Sequence, residues 1–286
     1  MALVVHMEPV VDRVALQIGH ESGDVDHCHG TAGYRACPMK PDRLPLLHEV
    51  VDAVGRAFAQ VTDLGPSGRR EGQYALDLVA NDAALPLLRA AGLGVLSEES
   101  DFEPGGNGEV AVIDPIDGST NASRGLPWYA TAICVVDGDG PQAAVVANQA
   151  TGDRFWATRD GGAFRNGTPI RTSGCTQPSE AIVMLNGFPS RPLGVRQTRC
   201  YGAAALDLCM VACGTADGYV DCDDRTPGGA HGVWDYLAAM LVLQEAGGVS
   251  ADALGRPLTV LDTAERRTPL GAASAELLEA LLAARG

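Results

Sequence analysis

Two aspartates three positions apart carry the strongest chemical signal in the sequence. Asp114 and Asp117 flank Pro115 and Ile116, where the apolar run VAVID ends. Because like charges at short range push protons onto one another, such a pair is stable when cations neutralise it. Oxygen ligands favour hard ions such as Mg²⁺ or Mn²⁺. The pair therefore predicts a divalent-cation site; the alternative is an Asx-rich turn that caps a helix.

The residues after this pair predict an anion site. Gly118, Ser119, Thr120 and Asn121 directly follow Asp117. At a helix start, such a segment can expose successive backbone N–H groups, which suit a phosphate. Metal-binding carboxylates next to an anion site are typical of a centre for phosphoryl transfer.

Three other acids stand at the ends of predicted elements. Glu98 and Glu99 follow a strand-like run, and Asp235 opens a predicted helix after a glycine-rich loop. Each alone is typical of a solvated face or a helix cap. Their significance comes from their combination with Asp114 and Asp117.

Composition excludes several function classes. Among 286 residues, 36 acids and 21 bases give a net charge of -15, which argues against strong binding to nucleic acid or to an anionic membrane. There is no apolar run of about 18 residues and no secretory signal pattern. Eight cysteines are too dilute for a disulfide scaffold, and we interpret them as reduced thiols. These features predict a cytoplasmic protein.

Hydrophobic periodicity predicts alternating helices and strands, which indicates a layered α/β or α+β fold. The predicted helices are 45–61, 82–91, 203–213 and 234–246, and the predicted strands are 94–100, 110–114, 131–137, 143–148 and 152–164, followed by AIVML and GYVD. Residues 1–38 lack periodicity, which predicts a disordered tail or a misplaced start codon. Residues 39–150 are interpreted as an N-terminal α+β half with the metal motifs, and residues 151–286 as a C-terminal α/β half.

Three motifs in this order resemble the signature elements of the inositol monophosphatase family: LSEES, VIDPIDGSTN and GVWDYLAAMLVLQEAGG. The similarity extends from about residue 45 to the C-terminus and includes DLVAND and AAALDLCMVACGTADGYVD. The resemblance implies a layered αβαβα sandwich, and Mg²⁺-dependent, lithium-sensitive hydrolysis of small phosphate monoesters, nominally inositol monophosphate. Members of the family are commonly homodimers.

The resemblance also implies roles for individual residues. It implies two or three Mg²⁺ ions, with Mn²⁺ as a substitute, held by Glu98, Asp114, the carbonyl of Ile116, Asp117 and Asp235. Ser119 stands where the family has a threonine that orients the attacking water with an upstream acid, for which Asp82 is the candidate. The implied contacts to phosphate or substrate are Asp117, Gly118, Ser119, Thr120, Ala204, Asp221 and Asp235.

Two departures from the family pattern bear on the substrate and on the role of Asp82. Asp221 precedes Asp235 by fourteen positions, which is more than is usual in the family. The motif DLVAND has one residue fewer before its final acid, Asp82, than the common family pattern. A bisphosphatase should need extra bases near the site, and the sequence offers Arg124 and Arg225, which favours a monophosphate. His231 is interpreted as a solvated loop residue. The alternatives are a nucleotide or sugar bisphosphatase of the same family, and a non-catalytic, metal-stabilised interaction protein.

Overall fold

The computed structural model describes residues 42–70, 72–223 and 228–285, so the predicted tail and Arg225 lie outside it. Within these ranges the chain forms six α-helices and twelve strands. The helices are α1 (Leu44–Phe58), α2 (Ala75–Ala90), α3 (Ser119–Arg124), α4 (Ala204–Ala212), α5 (Leu237–Glu245) and α6 (Ala275–Arg285). The strands are β1 (Gly94–Ser97), β2 (Val110–Asp117), β3 (Ala130–Asp137), β4 (Gly140–Asn148), β5 (Arg154–Thr158), β6 (Gly162–Arg165), β7 (Thr168–Pro169), β8 (Ile182–Asn186), β9 (Gln197–Arg199), β10 (Gly218–Asp221), β11 (Val249–Asp252) and β12 (Pro269–Ala272).

The strands form two sheets. The first has the order β1-β2-β3-β4-β5-β6-β7, in which β1 and β2 are parallel and the other pairs antiparallel. The second has the order β11-β12-β10-β8-β9, with β8 parallel to both β10 and β9. The change of sheet falls after Pro169, so β5 to β7 continue the first sheet beyond the predicted division at residue 150. The two halves as separate domains stay a prediction.

Helices and sheets stack in five layers, because each sheet presents apolar side chains on both faces. Alternate residues of a strand point to opposite sides. In β2, Ala111 and Ile113 pack with α1 and α2, whereas Val112 packs with α4 and α5. The second sheet covers the other side of α4 and α5 through Met184 and Tyr219, and α6 covers its outer face. The fold is the predicted αβαβα sandwich.

Two helix starts differ from the prediction. Helix α2 begins at Ala75, seven residues before the predicted Asp82, because the carboxylate of Asp77 accepts the backbone N–H of Tyr74 at 2.8 Å and caps the helix there. The predicted helix 234–246 begins with a 3-10 turn, Val233–Asp235. Tyr236, at φ -132°, separates this turn from α5. Among the described residues, no helix is both long and apolar enough to cross a membrane.

Asn121 joins α3 to the segment before α4. Its Nδ2 donates to the carbonyls of Trp128 at 2.8 Å and Tyr201 at 2.7 Å. We expect Asn121→Ala to leave two carbonyls without this donor and to lower the free energy of unfolding by about 2 kcal/mol. Calorimetry should show a melting temperature roughly 5 °C lower. Ser123→Ala, which removes one exposed hydrogen bond to Thr120, is the control. Equal melting temperatures for the two variants would contradict this role.

Candidate active site

The parallel pair β1 and β2 brings the first two predicted ligands together. Glu98 follows β1, and its N–H donates to the carbonyl of Ile113 at 3.2 Å, one residue before Asp114 in β2. Residues three apart in a regular strand point to opposite faces. A β-bulge interrupts this alternation, because Asp114 pairs with Ala132 but Asp117 with Ala130. Proline at the bulge has no N–H to leave unpaired. The bulge thus lets Asp114 and Asp117 face one volume.

Asp235 reaches the same volume from the 3-10 turn. Its Oδ2 accepts the N–H of Gly232 at 2.9 Å and lies 3.1 Å from Nδ1 of His231. A Cβ on Gly232 would lie 2.3 Å from the Trp234 ring, so the turn requires glycine there. Carboxylate oxygens of Glu98, Asp114 and Asp235 lie within 4.8 Å of one another. The structure therefore brings together three of the predicted metal ligands.

Burial and mutual repulsion dominate the electrostatics of this acidic cluster (Glu98, Asp114, Asp117 and Asp235). Burial, with the charge of Asp235, holds the pKa of Glu98 well above its usual range. Burial and Glu98 do the same to the pKa of Asp114. Burial and Asp235 raise the pKa of Asp117 to about 7, although backbone N–H groups oppose the shift. Such crowded oxygens need protons or cations to neutralise them, so the donor set fits a hard divalent ion.

Helix α4 and the start of α3 border the cluster. Oδ2 of Asp117 accepts the N–H of Ala205 at 2.7 Å, in the first turn of α4 beside Ala204. Gly118 has φ +86°, and a Cβ there would lie 3.0 Å from the carbonyl of Trp128, so only glycine fits. Ser119 and Thr120 begin α3. The arrangement places the predicted phosphate-binding residues next to the acids.

A cleft of about 280 Å³, here called the His231 cleft, opens beside Asp117 and Asp235. It is lined mainly by polar side chains and by small residues of α4 and the segment before it. None of its described lining residues is arginine or lysine. Among them are Asn186, Ala204, Asp207, Tyr219 and His231.

His231 is buried, with 9 % of its surface exposed, so its interpretation as a solvated loop residue is wrong. Because Asp235 can only accept, Nδ1 of His231 carries the hydrogen of their contact. Nε2 lies 3.1 Å from Nδ2 of Asn186 and 3.2 Å from the Tyr219 hydroxyl. Burial lowers the pKa of His231, but the bond to Asp235 and the nearby acids outweigh burial and raise it. Sequence reasoning missed this burial because it depends on strands β8 and β10.

Asp221 lies behind this lining. Its Oδ1 accepts from Asn186 at 3.0 Å, and its Oδ2 is 3.8 Å from Nε2 of His231. Within the described residues Oδ2 has no hydrogen-bond partner. The structure thus places Asp221 where it orients Asn186 and His231. A direct contact between Asp221 and substrate stays a prediction.

Comparison with known proteins decides the family. The sequence profile of the inositol monophosphatase family matches residues 73–285. The chain belongs to the inositol monophosphatase family. It is accordingly a phosphatase that acts on phosphate monoesters, and the metal dependence of the family agrees with the acidic cluster.

Individual members of the inositol monophosphatase family match most of the chain. A fructose-1,6-bisphosphatase/inositol-1-monophosphatase of Archaeoglobus fulgidus is 34% identical over 228 residues, 76% of this chain and 87% of that protein. A Nus factor SuhB of Xylella fastidiosa is 32% identical over 185 residues, 59% of this chain and 64% of that protein. The structure of an inositol monophosphatase from Anabaena superposes with a TM-score of 0.68 at 26% identity, covering 84% of this chain and 94% of that chain.

Sequence reasoning missed Asp77, which is the buried acid of helix α2. It is 3 % exposed, and its Oδ1 has no partner among the described residues. Burial raises the pKa of Asp77 to about 7, against the effect of the Tyr74 N–H. Its charge raises the pKa of both Glu98 and Asp114, which places it beside the acidic cluster. The signal that could have found it is an acid three residues after Tyr74, the position at which a carboxylate caps a helix that starts at Ala75.

Asp82, in contrast, is exposed in the middle of α2 rather than at its start. The hydrogen bond to Glu103 raises the pKa of Arg89, on the same helix, and the charge of Asp82 adds to this effect. The structure therefore does not bring Asp82 to Ser119, and the predicted pairing of the two is corrected.

We expect Asp82→Ala to keep kcat and KM within about twofold of wild type, because surface substitutions away from a site have small effects. Steady-state hydrolysis of a phosphate monoester checks this, with Asp77→Ala as the matched variant on the buried face of the same helix. A large loss in Asp82→Ala would restore the original assignment.

Proposed function

We propose that the protein hydrolyses small phosphate monoesters, nominally inositol monophosphate, with Mg²⁺ and an attacking water. The observation that carries the proposal is the set of carboxylate oxygens of Glu98, Asp114 and Asp235 within 4.8 Å of one another. When bound, Mg²⁺ supplies positive charge that acidifies a water and neutralises the leaving oxygen. Glu98, Asp114, the Ile116 carbonyl, Asp117 and Asp235 would hold the two or three ions, for which Mn²⁺ could substitute.

The chain's own groups orient the reactants. The amides of Gly118 and Ser119 are proposed to hold phosphate oxygens next to Asp117, whose own position is fixed by the N–H of Ala205. The Ser119 hydroxyl is proposed to orient the attacking water. The hydrogen bond from His231 holds Asp235 on the side of the site from which the alcohol would leave. Thr120 completes the anion site at the start of α3.

The His231 cleft is proposed to take the alcohol of the substrate. Its described lining offers hydrogen-bond groups from Asn186, Asp207, Tyr219 and His231, and no arginine or lysine. Hydroxyl groups suit such a lining, whereas a second phosphate would meet the carboxylates of Asp117, Asp207 and Asp235 with no described arginine or lysine beside them. We therefore favour a phosphorylated polyol with one phosphate over a sugar or nucleotide bisphosphate, although relatives are named fructose-1,6-bisphosphatase.

Phosphate release from a panel of esters tests the proposal. The panel contains inositol monophosphate, glycerol 2-phosphate, histidinol phosphate, fructose bisphosphate and adenosine bisphosphate, each with and without Mg²⁺ and with added Li⁺. We expect Mg²⁺-dependent, Li⁺-inhibited release that is fastest with a monophosphate. Preference for a bisphosphate would move the assignment to the alternative branch of the family.

A non-catalytic interaction protein is the second candidate, since relatives are named Nus factor SuhB. Binding alone does not require all four acids of the cluster, so their presence favours catalysis. A melting temperature raised by Mg²⁺, together with no turnover of any ester in the panel, would favour the interaction protein. We propose further that the protein is cytoplasmic, acts without nucleic acid or membrane, and forms a homodimer, which sedimentation would test.

A further inference from the structure

A second cleft, here called the Glu98 cleft, opens on the other side of the acidic cluster. It has a volume of about 320 Å³, and its lining includes Arg70, Glu98, Glu99, Asp101, Trp234 and Arg266. Trp234 lines this cleft, whereas the next residue, Asp235, lines the His231 cleft. The acidic cluster therefore lies between two separate openings, one beside Glu98 and one beside Asp117.

Arg266 presents a guanidinium edge to this cleft that its neighbours leave open. The guanidinium lies 5.2 Å from the centroid of the Trp234 ring. Its Nη1 donates to the carbonyls of Thr263 at 2.8 Å and Glu265 at 3.0 Å, which uses both hydrogens of that nitrogen. Within the described part of the chain, Nε and Nη2 have no hydrogen-bond acceptor, and no carboxylate lies within 4.0 Å. These two nitrogens form the edge that binds oxyanions in a bidentate manner.

The other arginine of the cleft is already neutralised. Arg70 forms an ion pair with Glu99 at 3.1 Å and donates to the carbonyl of Glu98 at 3.0 Å. Gln73 also donates to the Glu99 carboxylate, so both charges of this pair are occupied. Glu98 faces the cation site. Arg266 is thus the lining cation whose charge is left for a ligand, and two carbonyls and the Trp234 ring hold it in place.

We propose that the Glu98 cleft is a second oxyanion site, and that Arg266 binds inorganic phosphate there as it leaves the enzyme. The inference rests on the proposed function. In a displacement at phosphorus, the attacking oxygen arrives opposite the leaving oxygen. If the alcohol occupies the His231 cleft, water enters from the Glu98 side, and the released phosphate can leave by that side without passing the alcohol.

Equilibrium dialysis of inorganic phosphate with Mg²⁺ and without substrate tests the site. We expect two phosphates per chain in the wild type, and an affinity about tenfold lower at one of them in Arg266→Gln. Arg266→Lys, which keeps the charge but not the paired edge, should fall between them. Arg199→Gln is the control, because Arg199 is exposed and its side chain bonds to Thr198 and Gln197 beside it. Melting temperatures near wild type show that each variant is folded.

Product inhibition provides the second readout. Arg266→Gln should raise the inhibition constant of inorganic phosphate about tenfold and leave that of the alcohol unchanged. Unchanged phosphate binding in Arg266→Gln, or equal weakening of phosphate and alcohol, would overturn the inference. Arg266-dependent phosphate binding in a protein that hydrolyses no ester would support the oxyanion site and count against the proposed function. Hydrolysis of an ester, together with phosphate binding that does not depend on Arg266, would support the proposed function and count against the oxyanion site.

Discussion

Asp114→Asn will reduce kcat by about a thousandfold or more and leave the fold intact. Asp114 is buried at the centre of the acidic cluster, and its charge interacts with those of Glu98, Asp117 and Asp235. Asparagine keeps an oxygen that can accept the N–H of Ile116, as Oδ1 does at 2.9 Å. It removes the negative charge that would hold cations, so catalysis is lost while the local hydrogen bond stays.

Steady-state kinetics and circular dichroism check this prediction together. The control is Asp63→Asn, because Asp63 is exposed and asparagine can keep its hydrogen bond to the N–H of Gly65. Asp63→Asn should retain wild-type kcat. Substantial activity in Asp114→Asn at saturating Mg²⁺ would contradict the metal assignment, whereas loss of the folded spectrum would contradict the expected stability.

The metal-free protein will lose stability as the pH rises from about 4 to 7. Burial raises the pKa of Asp117 and that of Asp77 to about 7 in the fold, well above the ordinary value of an aspartate. The folded state therefore binds more protons than the unfolded chain in this range, so stability falls as the pH rises. The raised pKa of His231 acts in the same direction above its usual value. Mg²⁺ should reverse the loss, because cations replace the protons.

Thermal unfolding between pH 4.5 and 7.5, with chelator and with Mg²⁺, checks this prediction. One pKa unit corresponds to about 1.4 kcal/mol, and a gain of about 1 kcal/mol raises the melting temperature of a domain of this size by roughly 2–4 °C. We therefore expect Mg²⁺ to raise the melting temperature by roughly 5–10 °C at pH 7.5. At pH 4.5 the increase should be small. Asp114→Asn should show a flatter pH profile without metal. If the metal-free protein is most stable at pH 7.5, then repulsion among the acids of the cluster does not destabilise the fold.

The sequence predicted those parts of the site that local spacing determines. Asp114 and Asp117 lie in one short motif, and the turn chemistry around Pro115 and Gly118 is local. The strands β1 to β4 were predicted because their apolar runs and turns are local too. The family resemblance added Glu98 and Asp235, whose approach depends on how β1 and the 3-10 turn pack against β2.

The sequence could not predict what depends on helix phase or on distant packing. Asp82 and Asp77 differ by five positions on one helix, and only the true start of α2 decides which is buried. Likewise, the bases expected near the site were Arg124 and Arg225. In the structure Arg70 and Arg266 line the Glu98 cleft, because the loop before α2 and the segment before β12 meet there.

The hydrogen bonds of the three aspartates bear on which ion the protein selects. Asp114, Asp117 and Asp235 each have one carboxylate oxygen bonded to a backbone N–H, from Ile116, Ala205 and Gly232 respectively. Each therefore has one oxygen that is free of this backbone bond, which favours coordination of an ion through one oxygen. Ca²⁺ accepts six to eight ligands and often takes both oxygens of a carboxylate, whereas Mg²⁺ needs few and keeps water. We therefore expect the centre to bind Mg²⁺ in preference to Ca²⁺.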